Sequence, residues 1–241
     1  MLTALFSCSS ARSRRSCVRL LVALVLAPAA MAIPQSSAVV DEGTLMVTRN
    51  GAPLGRESFR IVRAPAPGGQ VYRATGQSAL GDKRLTTSLG TDSSGVPVTY
   101  ESELSQKGEV VEQLKGRGRP GRFSVLMSTR SGESAREFVL RDGALLMDED
   151  VFHHFFVVPL ASGRSNLPVI SPRVGGQTRF QLEERGADSV DVAGRIIPSR
   201  HFTLTSTSGV SRDVWIDSKG RLLKVAIPEK GLVAVRDDPP R

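Results

Sequence analysis

Hydrophobic and polar residues alternate along most of the chain, in short runs separated by turn-forming residues. The run Thr44 to Thr48 alternates and is followed by Asn50-Gly51. This dipeptide favours a type I′ hairpin turn, because both central residues of that turn need a positive φ. Leu54 to Val62 resumes the alternation and puts Phe59 and Ile61 on one face. A period of two residues is typical of β-strands with one buried face.

Similar runs continue to the end of the chain at intervals of about ten residues, a spacing typical of sandwiches and barrels. Many short strands joined by tight turns predict a mainly β protein with an antiparallel curled sheet, either an open or a half β-barrel. The later predicted strands are Val71 to Leu80, Arg84 to Thr91, Val96 to Leu104, Glu109 to Lys115, Phe123 to Thr129, Arg136 to Leu140, Gln177 to Glu184, Val190 to Val192, Ile196 to Ser206, Ser211 to Asp217, Arg221 to Ile227 and Leu232 to Arg236.

One segment departs from this pattern. Asp148 to Pro159 begins with acidic residues that can cap a helix, and Phe152, Phe155 and Phe156 follow at helical spacing. The segment predicts one short helix with an apolar face. The stretch Ser162 to Gly176 is rich in serine, proline and glycine and is interpreted as a long loop.

The first 32 residues have the pattern of an export signal. Basic residues between Arg12 and Arg19 precede the apolar run Leu20 to Ala30, which is too short for a bilayer span of about 20 residues. Ala30-Met31-Ala32 then gives a small-x-small cleavage pattern. We therefore expect a signal peptide at residues 1–32, cleavage near Ala32, and a single antiparallel β domain over residues 33–241 in the periplasm or outside the cell. The pair Arg14-Arg15 resembles a twin-arginine signal, so both Sec and twin-arginine export remain open.

Composition narrows the expected partners. Without the predicted leader the chain keeps 28 basic and 24 acidic residues, interspersed with one another, so we expect no nucleic-acid partner. Both cysteines, Cys8 and Cys17, lie in the leader, which leaves no thiol for a disulfide or a metal site. The basic tip with Arg117, Arg119 and Arg122 is a candidate for peripheral membrane contact.

The last third of the chain carries a resemblance. Val214-Trp215-Ile216-Asp217 is followed by the return strand Gly220 to Val225, with Ser199 to Thr207 before it and Gly231 to Arg236 after it. This ending resembles periplasmic carriers of the LolA/LolB-like lipoprotein-carrier superfamily and related uncharacterised periplasmic β-barrel families. The opening hairpin Glu42 to Arg63 is similar to that of the uncharacterised families.

The resemblance implies an open antiparallel sheet curled around an apolar cavity, with a helix at its mouth. It also implies that acyl chains are carried through an aqueous compartment. The chain departs from the carriers in having one predicted helix where they have more. No ligand-contacting residue of the carriers can be placed on it.

Residue alternation by itself fits two interiors, a filled core and a lipid-sized cavity, because both need apolar residues on the inner face. Trp215 fits either the core or a cavity mouth. The residues expected to line a cavity are Phe59, Ile61, Leu204, Trp215, Val225, Ile227, Phe152 and Phe155.

Motifs for catalysis are weak. Adjacent histidines on a helix point about 100° apart, so His153 and His154 are interpreted as polar rings at the rim of the predicted helix. Neighbouring carboxylates such as Glu183-Glu184 point to opposite faces of a strand, and there is no Gly-x-Ser-x-Gly pentapeptide. We therefore expect no catalytic residue, no metal and no cofactor.

The sequence favours an exported, non-enzymatic protein that binds or carries a hydrophobic or lipid-like ligand, such as an acyl chain. One alternative is a structural or protein-interaction component of the cell envelope with a filled core. An unrecognised hydrolase is the other.

Overall fold

A computed structural model describes residues 37–67, 69–141 and 143–241. The predicted signal peptide, residues 1–32, lies outside the described residues. Within them, the strands form one 15-stranded sheet. Its strands are β1 (Ala38–Arg49), β2 (Ala52–Ala66), β3 (Gly69–Leu80), β4 (Lys83–Asp92), β5 (Pro97–Gln106), β6 (Glu109–Arg119), β7 (Arg122–Thr129), β8 (Gly132–Val139), β9 (Leu145–Leu146), β10 (Asn166–Ser171), β11 (Gly176–Val192), β12 (Arg195–Ser206), β13 (Ser211–Ile216), β14 (Leu222–Ile227) and β15 (Leu232–Arg236).

The sheet is built from two meanders. Strands β1 to β8 follow one another across one half, and β15 back to β9 follow one another across the other. The halves join where β1 pairs antiparallel with β15, and the short β9–β10 pair is parallel. The predicted class is confirmed: the protein is mainly β, with an antiparallel curled sheet that does not close, and a short helix.

The predicted hairpin between β1 and β2 is also observed. Asn50 and Gly51 have φ values of 50° and 79°, as a type I′ turn requires. The prediction of a long loop over Ser162 to Gly176 is wrong, because β10 lies within it and pairs with β11. Its core residues, 167–170, are all buried. This apolar run outweighs the turn-forming residues around it, and Pro168 is tolerated because β10 is next to the two-residue strand at the sheet edge.

Side chains connect β8, at one end of the sheet, to the β10–β11 hairpin near the other end. The amide of Gln177 donates a hydrogen bond to the carbonyl of Val139 at 2.8 Å. The Arg136 guanidinium lies over Gly175, where a Cβ would be 0.9 Å from Arg136 Nη1. The sheet is therefore curled almost into a barrel, and one edge of β8 lacks a strand partner among the described residues.

The inner face of the sheet carries the main hydrophobic core. A 3-10 helix, His153–Val157, fills the interior and is called the plug helix below; all five of its residues are buried. The other 3-10 helices are Pro159–Ala161 and Pro228–Lys230. No helix among the described residues is long and apolar enough to cross a membrane.

Candidate functional site

The plug helix is held by a carboxylate from the opposite wall. Glu57 points inward from β2 and is 1% exposed. Its Oε2 accepts the backbone N–H of Phe152 at 3.0 Å, and its Oε1 accepts the backbone N–H of His153 at 2.6 Å. The acids at 148–150 were expected to cap this helix, but no side chain caps it from within the segment. Glu57 satisfies these N–H groups instead, which a helix start otherwise leaves unpaired.

The ring of His153 occupies a space made by a glycine. His153 Nδ1 lies 3.0 Å from Glu57 Oε1, and its Nε2 lies 3.4 Å from Thr87 Oγ1. The ring stacks on Phe59 with an interplanar angle of 5°. At Gly76 a Cβ would lie 2.4 Å from His153 Cε1, so the glycine is needed for this position of the ring.

His154 lies deeper in the same cluster. The backbone N–H of Asp148 donates to His154 Nδ1 at 3.3 Å, which places the ring proton on Nε2. Among the described residues Nε2 has no hydrogen-bond partner. Burial, with a contribution from His153, holds the pKa of His154 well below its usual range. The interpretation of both histidines as rings at a helix rim is wrong, because the helix is buried on all sides.

A second carboxylate fixes the segment that enters the plug helix. The Tyr100 hydroxyl donates to Asp148 Oδ2 at 2.7 Å, and the backbone N–H groups of Glu149 and Arg173 each donate to Oδ1 at 3.1 Å. Burial raises the pKa of Asp148 to about 6, against the opposing hydrogen bond from Tyr100. Burial, together with the Asp148 charge, also raises the pKa of Tyr100 well above its ordinary value.

Arg173 connects this segment to the wall. Its Nε donates to Glu112 Oε1 on β6 at 2.9 Å, and its Nη1 donates to the carbonyl of Glu149 at 3.1 Å. The segment before the plug helix is therefore attached to β2, β5, β6 and the β10–β11 turn by buried or half-buried polar groups.

A cavity of about 180 Å³ lies beside this segment. Its apolar wall combines side chains of the plug-helix region with residues of the second meander. Five charged residues, called the charged rim below, also line it. The apolar wall includes Phe152, Phe155, Val169, Phe180, Leu204, Ile227 and Leu232, and the charged rim comprises Asp148, Glu149, Asp150, Arg212 and Lys230.

Four of the residues expected to line a cavity are brought together here: Phe152, Phe155, Leu204 and Ile227. Phe59, Ile61 and Val225 belong to the main core but do not line this cavity, and Phe59 also borders a larger depression that crosses β2 to β6.

Trp215 was also expected on the cavity wall, and this placement is wrong. Val214 and Ile216 point inward, so Trp215 lies on the outer face, where it packs beside the cluster Val190, Val192 and Leu223. Its ring stacks on His201 at 4.3 Å, and its Nε1 donates to Asp188 at 2.7 Å. The tip of the β11–β12 hairpin therefore folds over the outer face.

Sequence reasoning missed Glu57, Tyr100 and Asp148 as site residues. A signal for Glu57 exists in the alternation, since it occupies the same face as Phe59 and Ile61. A carboxylate at an inward position needs a partner. No comparable signal identifies the partners, because they are 95 and 96 positions away in the chain.

A larger depression, of about 610 Å³, crosses β2 to β6 on the outer face. Most of the side chains around it are exposed and polar, including Arg60, Gln77, Glu101 and Lys115. The basic tip with Arg117, Arg119 and Arg122 lies at the turn between β6 and β7. Arg119 ends β6, and Arg122 begins β7 and pairs with Glu137 at 2.5 Å.

Thr87, His153 and Glu57 have the order of a nucleophile, base and orienting acid. Thr87 is only 3% exposed, and Glu57 is occupied by two backbone N–H groups of the plug segment. The arrangement is suited to anchoring the helix. Among the described residues no group of three or more His, Cys, Asp or Glu side chains could hold a metal ion.

Comparison with known proteins shows a likeness of fold. No protein-family model matches the sequence, and no curated protein matches it. A solved structure of a β-barrel-like protein of the domain of unknown function DUF1849, from Brucella abortus, is similar with a TM-score of 0.50 at 11% identity. The match covers 80% of this chain and 93% of that chain. At this identity the likeness shows the fold alone: the domain is β-barrel-like.

Proposed function

We propose that the protein is an exported, non-enzymatic envelope protein that binds a hydrophobic or lipid-like ligand in the cavity beside the plug helix. The observation that carries this proposal is the cavity of about 180 Å³ with an apolar wall and a charged rim. An apolar wall with a few polar groups at the opening is the usual form of a small-molecule site.

The volume of the cavity limits the size of the ligand group that can enter it. A dry apolar cavity of about 150 Å³ can hold a benzene molecule, whereas ordinary ligand pockets measure about 300–1,000 Å³. The cavity at 180 Å³ therefore fits one short aliphatic or aromatic group. We propose that a longer ligand inserts one end and keeps the remainder outside, or that the plug segment moves to admit more of it.

The curled sheet with a helix at its interior supports the resemblance to the LolA/LolB-like carriers, in which a sheet surrounds an apolar space. We propose that this protein, like those carriers, uses the curled sheet to hold an apolar ligand. Residues 1–32 are the proposed signal peptide, and the periplasm is the proposed compartment in which the protein works. Arg117 and Arg119 at the exposed tip of β6 are the proposed contact with anionic headgroups.

The test is binding of 1-hexanol, measured by ligand-observed NMR. Val169 lines the cavity and is buried, so Val169→Phe should fill the space and abolish binding. The matched control is Val98→Phe, at an exposed position on β5, which should bind as the wild type does. Absence of binding to the wild type, or equal binding by both variants, would overturn the proposal.

A second candidate, an envelope interaction component, is favoured by the free edge of β8. An unpaired strand edge can accept a strand from another chain. Exposed apolar side chains lie near it: Leu126, Val139 and Val174. If this edge binds a protein, Ala135→Pro should abolish a strand-specific cross-link to that partner and leave 1-hexanol binding unchanged. A cross-link that survives the substitution would exclude the edge as the binding surface.

A further inference from the structure

The charged rim of the cavity contains one carboxylate without a counter-charge. Lys230 Nζ pairs with Glu149 Oε1, and Arg212 Nη1 pairs with Glu229 Oε1. The two cations of the rim are thus neutralised by neighbouring acids. Asp150 is different, because its carboxylate makes no hydrogen bond or ion pair with any residue in the described part of the chain.

The third acid of the rim is also occupied. Asp148 accepts the Tyr100 hydroxyl and two backbone N–H groups. Its oxygens are therefore used within the protein. This leaves Asp150 as the one rim carboxylate, among the described residues that line the cavity, that is available to a ligand.

The position of Asp150 suits a group that meets a ligand at the opening. It follows Asp148 and Glu149 and immediately precedes the buried wall residues Val151 and Phe152. A ligand whose apolar end contacts that wall has its polar end at the rim. A half-buried carboxylate attracts a cation more strongly than a fully solvated one, because the low-dielectric wall weakens screening.

We propose that the cavity selects a cationic amphiphile: a short aliphatic or aromatic group enters the cavity, and the adjoining ammonium group pairs with Asp150. This rests on the proposed function and names its ligand class. Alkylammonium ions should bind more tightly than alcohols and carboxylates of the same chain length. The apolar contact is the same for all three, so the interaction of the head group with the Asp150 carboxylate determines the difference in affinity.

The test compares hexylammonium, 1-hexanol and hexanoate by ligand-observed NMR on the same purified protein. Hexylammonium should bind at least about tenfold more tightly than 1-hexanol, and hexanoate more weakly than both. Asp150→Asn should remove the preference for the ammonium ion while leaving 1-hexanol binding intact. Asp150 has a φ of 60°, a conformation that asparagine also adopts, so this variant keeps the local backbone.

A second variant should act in the opposite direction. Lys230→Met keeps the methylene groups and leaves Glu149 without its partner, so hexylammonium should bind more tightly than to the wild type. Salt at about 0.5 M should reduce the difference in affinity between hexylammonium and 1-hexanol, because it screens the charge of Asp150. If the three hexyl ligands bind equally, or hexanoate binds best, the cationic preference is wrong and the hydrophobic site remains. If none of the three binds, the proposed function fails with it.

Discussion

Replacement of Glu57 by glutamine tests the anchoring of the plug helix. The substitution keeps the shape of the side chain and removes its charge. The carboxylate accepts three hydrogen bonds, from the Phe152 backbone, the His153 backbone and the His153 ring. A glutamine oxygen in the Oε1 position can keep the two from His153. Its amide nitrogen then faces the Phe152 N–H, so two donors oppose each other.

The magnitude follows from these contacts. An orphaned buried donor costs about 1–3 kcal/mol, and a hydrogen bond to a charged acceptor contributes about 1 kcal/mol more than a neutral one. With one donor orphaned and two hydrogen bonds weakened, Glu57→Gln should lower the free energy of unfolding by about 3–5 kcal/mol. Urea unfolding followed by the fluorescence of Trp215, the single tryptophan, measures this difference directly.

The matched control is Glu42→Gln on the neighbouring strand. Glu42 pairs with Arg60 at 3.0 Å and its side chain is 58% exposed, and exposed pairs contribute about 0–1 kcal/mol. If the two variants differ by less than about 1 kcal/mol, Glu57 does not anchor the helix. Hydrogen exchange adds a local readout, since the backbone amide of Phe152, which loses its acceptor, should lose protection in Glu57→Gln alone.

Three further outcomes are expected. Burial raises the pKa of Asp148 from 3.8 to about 6, so the contribution of Asp148 to stability is full at low pH and is lost as the pH rises through about 6. Between about pH 4 and pH 7.5, the free energy of unfolding of the wild type should fall by up to about 3 kcal/mol relative to that of Asp148→Asn. Parallel pH profiles of the two proteins would contradict this. Gly76→Ala places a methyl group 2.4 Å from His153 Cε1, so overpacking should lower the free energy of unfolding by about 1–3 kcal/mol, measured as a lower urea midpoint. An unchanged midpoint would show that the ring is free to move. Leu223→Ala removes a fully buried side chain from the outer-face cluster and should lower the free energy of unfolding by about 2–5 kcal/mol. The control Ile196→Ala, at a position that is 64% exposed, should change the free energy of unfolding little. A similar loss in both variants would refute a packed cluster under the β11–β12 tip.

Strands and tight turns were predictable because their signals are local. The turn at Asn50-Gly51 and the alternation around Phe59 depend on neighbouring residues. The curled antiparallel sheet followed from the number and spacing of such runs. The β10 strand was missed because its apolar run is short and contains Pro168, and its place in the sheet depends on pairing with residues 176–181.

The site was predictable only in part. The apolar residues Phe155, Leu204 and Ile227 were identified by their positions in the pattern, and they do line the cavity. The polar anchors were not, because Glu57 meets its helix across 95 positions of chain. Trp215 was misplaced since strand alternation gives two faces without saying which one is inside, and only the packed sheet settles that choice.

The proposed function requires an apolar cavity beside the plug helix. Xenon pressurisation of crystals of the purified protein detects such a cavity, because dry apolar cavities of about 150 Å³ take up this gas. We expect xenon density between Phe155, Leu204 and Ile227 in wild-type crystals, and none in Val169→Phe crystals. Wild-type crystals without xenon at this position, with the surrounding side chains in mutual contact, would contradict it.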